Sequence, residues 1–312
     1  MEMLNVCNVT KKYGDFTALN AVNVSVEEGS VFGLLGPNGA GKTSLIRIIN
    51  RITAPDSGEV FFKGRKLSSE HVSQIGYLPE ERGLYRKMKA GEHAVYLARL
   101  KGLSNNEATK RLKYWFDKFE IMSWWNKKVE ELSKGMQQKL QFIVTVIHQP
   151  SLLIFDEPFS GFDPINVNLL KNEMLELRKK GATIIFSTHN MASVEELCDN
   201  IALIHKSEKI LEGRISDIKN NNKENLFAVC FTNSDMDLRA CLSDNIEIKY
   251  SELLPNGHTI AHLKIPEHQT SGDLIRLLPS SMQLISFNEI LPSMNDIFIS
   301  SVNADRPQQK DV

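Results

Sequence analysis

The spacing of apolar and polar positions changes character along this chain. Residues 3–32 alternate with a period of two, as in LNVCNVTKKY and ALNAVNVSVEEGSVFGLLG, with Gly and Asn at the turns. That is the pattern of an antiparallel sheet with one buried face. From residue 33 onward, short apolar runs alternate with helical spacing: VFGLLG precedes a helical stretch at 42–51, LLIFD one at 164–180, and ATIIFST one at 190–198. Strand followed by helix, repeated, predicts a mostly parallel sheet covered by helices. The stretch EHAVYLARLKGLSNNEATKRLKYWFDKF interrupts this order with apolar residues three and four apart, which predicts an inserted helical subdomain over about 86–132. The run KNNNKEN, 219–225, reads as a turn-rich linker. Beyond it LFAVCF, EIKYSEL, TIAHLKI, TSGDLIRLLP and MQLISFNEI predict a small α/β domain over 226–302, and NADRPQQKDV, 303–312, reads as a flexible tail.

Composition limits what such a chain does. Its 312 residues, 42% hydrophobic and 24% charged, suffice for two packed cores. The formal charge is −1, with 30 Lys+Arg against 26 Asp+Glu in residues 1–219 and 7 against 12 in residues 220–312. Neither part is basic enough to suggest a nucleic-acid partner. The longest apolar runs, LLIF and ATIIF, fall far short of the roughly 18–20 residues that span a bilayer. The start, MEMLNVCNVTKKYG, has no apolar stretch following a basic one, so a cytosolic chain without a secretion signal is expected. Cys7, Cys198, Cys230 and Cys241 form no close pair and read as reduced thiols.

The chemistry begins at GPNGAGKT, Gly36–Thr43, between a predicted strand and a predicted helix. Glycines let backbone N–H groups wrap phosphate, Lys42 brings charge to the β and γ oxygens, and the Thr43 hydroxyl suits Mg²⁺. The strand LLIFDEP, 152–158, ends in two carboxylates. Asp156 would hold Mg²⁺, directly or through water, and Glu157 would polarise an attacking water. A second small-residue turn opens a helix in EELSKGMQQKLQFIVTVIHQP, 130–150, and a helix start of this kind also binds phosphate.

With LSKGMQQ some twenty residues before LLIFDEP, then SGFDP (160–164) and STH (187–189), the chain resembles the nucleotide-binding subunits of ATP-binding cassette (ABC) transporters over residues 3–218. The resemblance implies a P-loop NTPase cassette of α/β class at 1–218: a mostly parallel sheet, an antiparallel β subdomain and the inserted helical subdomain. It implies ATP and Mg²⁺ as cofactors and hydrolysis coupled to transport. It also accounts for two phosphate-binding helix starts. In that family two cassettes dimerise head to tail, which implies that Ser133 and Gly135 serve the partner's ATP.

Residue by residue, the resemblance gives Gly36, Pro37, Asn38, Gly39, Ala40, Gly41, Lys42 and Thr43 to the phosphates, Ser44 to the α-phosphate and Tyr13 to the adenine, where an exposed strand tyrosine is the plain alternative. Asp163 matches the loop that crosses to the partner, where a helix-capping Asp beside Pro164 is the alternative. His189 matches the γ-phosphate contact. Glu157, His189, Lys42 and Glu80 form the implied catalytic set, and Thr43, Asp156 and Glu80 the implied metal set. The chain departs from the family pattern in two motifs. Lys134 and Met136 stand in the usual LSGGQ turn, and Glu80 stands where the family has glutamine.

A narrower resemblance, carried by LPEERGLY, LSKGMQQK and LPSMNDIFI (291–299), is to exporter ATPases of the sodium-, drug- or antibiotic-efflux type. It implies a separately encoded membrane permease, a second copy or a homologous ATPase subunit, and a place on the cytoplasmic face of the membrane. The alternative is a soluble ABC ATPase acting on DNA or the ribosome. A single cassette and an acidic tail weigh against it.

Overall fold

The computed structural model describes residues 1–81, 83–232, 238–243, 245–279 and 282–304. These form two compact units, Met1–Ile215 and Ser216–Val312.

The first unit opens with the long hairpin β1 (Glu2–Tyr13) and β2 (Phe16–Glu27), followed by β3 (Val31–Leu35) and α1 (Lys42–Ile49). Next come β4 (Ser57–Phe62), β5 (Arg65–Lys66) and β6 (Ile75–Leu78), then α2 (Ala90–Leu100), α3 (Asn105–Lys118) and α4 (Lys134–Val146). The remainder is β7 (Leu152–Asp156), α5 (Pro164–Lys179), β8 (Thr183–Thr188), α6 (Met191–Leu197), β9 (Asn200–His205) and β10 (Glu208–Arg214).

Two sheets organise it. An antiparallel sheet has the order β2-β1-β4-β5, and a six-stranded sheet the order β10-β9-β3-β8-β7-β6. In the second, β9, β3, β8, β7 and β6 run parallel and β10 is antiparallel to β9. The central strands VFGLL, LLIFD and TIIFST are buried at every position, as strands with both faces covered must be. Side chains from β1, β2 and β4 share one core with Leu45, Ile46, Ile48 and Ile49 of α1 and with Phe32, Ile154 and Ile185 of the parallel sheet. That shared core anchors α1, and with it the loop that precedes it.

The helical insertion owes its form to local signals. Ser104 caps α3 by accepting the Glu107 N–H at 3.2 Å, and Ala108, Leu112 and Phe116 recur every fourth residue as its buried stripe. Lys89 and Lys128 form an isolated antiparallel bridge that draws the two ends of the insertion together.

The second unit contains β11 (Leu226–Thr232), α8 (Leu238–Cys241), β12 (Glu247–Leu253), β13 (His258–Lys264), α9 (Ser271–Leu277), β14 (Gln283–Ile290) and α10 (Met294–Ala304). Its sheet, ordered β12-β13-β11-β14, is antiparallel throughout and covers a separate core that includes Val229, Phe231, Ala261, Leu263 and Leu274.

Several sequence expectations change. The linker at 219–225 is helical in its first part, because Ile215–Asn221 forms a helix, α7, with buried Ile215 and Ile218 as its apolar side. The helix after the P-loop stops at Ile49, two residues early, and the hairpin of β9 and β10 was not read from the sequence. Residues 303 and 304 close α10 rather than opening a tail, and the rest of the expected tail, 305–312, lies outside the described residues. Cys7, Cys198 and Cys230 are free thiols.

Candidate nucleotide site

The loop Gly36–Gly41 leaves β3 and turns back into α1, and only glycine fits at two of its positions. Gly36 has φ +146° and a Cβ there would lie 2.1 Å from the Ile204 carbonyl oxygen. Gly41, the residue before α1, has φ +116° and a Cβ would lie 2.3 Å from the Ala18 carbonyl oxygen. The loop therefore lies directly on β2 and β9, leaving its outer side open.

Lys42, 7% exposed, folds its Nζ back to donate to the carbonyls of Gly36 at 2.7 Å and Pro37 at 3.1 Å. Burial holds its pKa below the usual lysine range, opposed by the charges of Glu157, Asp156 and Glu80. Two carbonyls thus take the hydrogen bonds that such a lysine can offer to the anionic oxygens of a nucleotide.

Across the cleft, β7 ends at Asp156, whose Oδ2 accepts from the Thr43 hydroxyl at 3.3 Å. Burial raises the pKa of Asp156, with the Ser187 hydroxyl on the neighbouring strand opposing the rise, Glu80 adding to it, and Thr43 and Lys42 opposing it. Glu157 follows in a left-handed conformation, φ 46°, rare for a side-chain-bearing residue. That turn aims its carboxylate at the loop after β8: Oε1 accepts the His189 backbone N–H at 3.0 Å and lies 2.7 Å from His189 Nδ1, while Oε2 accepts from the Thr188 hydroxyl at 3.3 Å.

Phe16, Ala18, Asn38, Gly39, Gly41, Lys42, Thr43, Ser44, Glu80, Asp156 and Glu157 line one cavity of ≈ 300 Å³. The structure thereby gathers most of the residues singled out in the sequence. Tyr13 is different: the cavity's aromatic wall is Phe16, directly opposite Tyr13 in the β1–β2 pairing, while Tyr13 is 44% exposed under Lys11 Nζ, 5.5 Å from its ring centre. Ser133, Gly135 and Asp163 also lie outside this lining. Ser133 caps α4 by accepting the Met136 N–H, and Asp163 caps α5 by accepting the Asn166 N–H at 3.0 Å, hydrogen bonds that hold the Asp163 carboxyl below the usual range.

Sequence reasoning missed four residues of the site: Phe16, Ser187, Gln138 and Gln141. Gln138 and Gln141 are 3% and 5% exposed on the buried side of α4. Polar residues inside an apolar helical stripe were the signal that could have marked them.

Among the described residues no group of three or more His, Cys, Asp or Glu forms a metal centre, and no helix is long and apolar enough to cross a membrane.

Comparison with known proteins agrees with this geometry. A family model described as ABC transporter matches residues 19–160, and one described as ATP-binding protein DrrA1-3-like, C-terminal domain, matches residues 213–302. A third, described as AAA domain, putative AbiEii toxin, Type IV TA system, overlaps residues 126–195. The uncharacterized ABC transporter ATP-binding protein YhaQ of Bacillus subtilis is 43% identical over 303 residues, 97% of this chain and 99% of that one. The lantibiotic transport ATP-binding protein SrtF of Streptococcus pyogenes is 34% identical over 225 residues, 72% of this chain and 96% of that one. A solved ATP binding subunit of an ABC transporter superposes with a TM-score of 0.66 at 32% identity, over 70% of this chain and 92% of its own. Similarity across nearly the full length of two chains, on a fold of this kind, has one reading: this chain belongs to the ATP-hydrolysing ATP-binding proteins of ABC transporters.

Proposed function

We propose that the chain is the ATPase subunit of an exporter, dimerising on ATP and driving a separately encoded permease from the cytoplasmic face of the membrane. The observation that carries this reading is the convergence of Asn38, Gly39, Gly41, Lys42 and Thr43 with Asp156, Glu157 and Glu80 on one cavity. ATP would lie along that loop, with free N–H groups and Lys42 meeting its phosphates.

Thr43 and Asp156 present hard oxygen donors side by side, with Glu80 on the same cavity, a set that suits Mg²⁺. Bound there, Mg²⁺ would neutralise charge on the phosphates. Glu157, held by Thr188 and His189, would orient water and accept its proton. His189 is exposed and can turn from Glu157 to a γ-phosphate.

Exposure also favours a dimer. Ser133 and Asp163 are both exposed, and Ile165, in the first turn of α5, is 82% exposed. An apolar side chain that bare, beside an Asp matched to the crossing loop, suits a surface covered by a second copy. Exporter function rests on the match to a DrrA-like C-terminal domain and on relatives such as SrtF.

The test has two arms. Glu157→Gln protein with Mg-ATP should sediment as a dimer and without nucleotide as a monomer, and a species unchanged by nucleotide would count against ATP-driven dimerisation. Tagged protein purified from its own membranes in mild detergent should bring down a multi-spanning protein, whereas ribosomes or DNA would overturn the transport reading.

A further inference from the structure

The helix α4 reaches two loops of the candidate site at once. Gln138 Nε2 donates to the Pro158 carbonyl at 2.8 Å, and Gln141 Nε2 donates to the Pro79 carbonyl at 3.3 Å. Pro158 directly follows Glu157, and Pro79 directly precedes Glu80. The two glutamines are three residues apart, on the same side of α4. Thr145, one turn further on, continues the contact by bonding the Tyr77 carbonyl at 3.4 Å.

These bonds do something the surrounding backbone cannot. The carbonyls of Pro79 and Pro158 lie beyond the ends of β6 and β7, where ladder pairing stops. Proline also has no N–H, so each of these loops has one backbone donor fewer to hold it. The Glu157 turn is strained, with φ 46°, and a strained turn persists only where neighbours hold it. Its far side is held by the Ser187 carbonyl, which accepts the Glu157 N–H at 2.9 Å. Gln138 holds its near side.

We propose that Gln138 and Gln141 are positioning residues for ATP hydrolysis, through which α4 sets the loops that carry Glu157 and Glu80. The same helix is capped by Ser133, which the family resemblance gives to the partner's ATP. Seating the start of α4 on a phosphate would therefore fix, through its buried side, the carboxylates of its own chain. Neither glutamine touches the reacting atoms. The inference rests on the reading of Glu157 as the residue that orients water, and that reading has its own test in Glu157→Gln.

The experiment uses three full-length variants, with ATP affinity and melting temperature measured beside turnover. Gln138→Met keeps the length of the side chain and removes the donor. It should lower kcat about 10-fold or more while KM for ATP stays within about twofold. Gln141→Met should act in the same direction, and more weakly because its bond is longer.

Gln138→Glu supplies a readout that a packing role would not move. Protonated, the buried carboxyl can still donate to the Pro158 carbonyl; ionised, it cannot. Burial raises its pKa, so relative to the parent its kcat should fall as the pH rises from about 6 to about 9. Parental kcat in Gln138→Met would overturn the inference, as would a Gln138→Glu profile parallel to the parent's. If Glu157→Gln is inactive and Gln138→Met is fully active, the positioning inference alone fails. If Glu157→Gln turns over normally, the reading beneath it fails.

Discussion

His189 Nδ1 lies 2.7 Å from Oε1 of Glu157, and the same oxygen accepts the His189 backbone N–H at 3.0 Å. One carboxylate oxygen is thus held twice by the residue after β8, while the strained Glu157 turn, φ 46°, aims it there. Orientation of this kind matters most in the reacting complex, where a displaced base loses its hydrogen bond to water.

His189→Ala and Glu157→Gln are both expected to cut ATP turnover by about 10²-fold or more with nucleotide affinity kept. Steady-state hydrolysis beside equilibrium titration with ATP checks this. Parental turnover in either variant would remove that residue from the chemistry. Lys42→Ala should differ by weakening ATP binding itself, because it deletes a charge at the phosphates.

Glycines of the P-loop separate by what a methyl group would meet. At Gly36 and Gly41 an added Cβ would stand 2.1 and 2.3 Å from backbone carbonyl oxygens, which cannot move without moving β9 or β2. Gly36→Ala and Gly41→Ala should each cost about 2–4 kcal/mol in urea unfolding. Gly39, φ +79° with nothing within 4 Å of a Cβ, should lose about 1–2 kcal/mol from backbone strain alone. Equal losses at all three would show that close approach is not the cause.

Acid should loosen the first unit through two histidines. Burial pushes His93 down to about 4; it does the same to His148, helped by the charges of Lys101 and Arg111. Unfolded, both titrate near 6.5, so between 6.5 and 4 the unfolded chain carries protons that the folded chain does not. Their contribution is fully present above that window and declines as the pH falls through it. Urea unfolding at about pH 7.5, 5.5 and 4.5 should show falling stability, and His93→Phe should flatten the slope. His93 is 0% exposed and already packs edge-on against Tyr85, so an aromatic replacement keeps the contact. An unchanged slope in the variant would exclude His93 as a source.

Every residue of the nucleotide cavity lies within Met1–Ile215. A chain ending at Asn221, which keeps α7 whole, should therefore fold and bind Mg-ATP. Fluorescent nucleotide titration and gel filtration check this, and a soluble, monodisperse product that binds no nucleotide would place part of the catalytic unit in the C-terminal domain.

Local rules made much of this protein legible in its sequence. The P-loop could be read because its glycines, lysine and threonine stand at fixed spacing in one short turn, although the carbonyls that forbid a Cβ at Gly36 and Gly41 belong to the distant Ile204 and Ala18. Asp163 could be read as a helix cap because a cap bonds an N–H only three residues ahead. The strands VFGLL and LLIFD betrayed their burial by containing almost nothing polar, while TIIFST is buried at every position with three hydroxyl residues among its six. Their order in the sheet is another matter. That β3 lies between β8 and β9, with β7 and then β6 further out, depends on crossovers and packing that no local pattern encodes.

Tertiary structure likewise chose Phe16 over Tyr13 for the cavity wall, since two exposed aromatics of one hairpin are indistinguishable until the opposite side of the cleft is in place. It ran α7 through residues that by composition read as a linker, with Ile215 and Ile218 buried. It also gave Gln138 and Gln141 a meaning. Within the helix they are two amides on an apolar side; only when β6 and β7 bring Pro79 and Pro158 beneath α4 do they acquire carbonyls to bond. The chemistry was written in short motifs, because phosphate and metal binding need particular groups a few residues apart. The alignment of those groups was decided by contacts between segments far apart in the chain, whose strength comes from burial rather than from spacing.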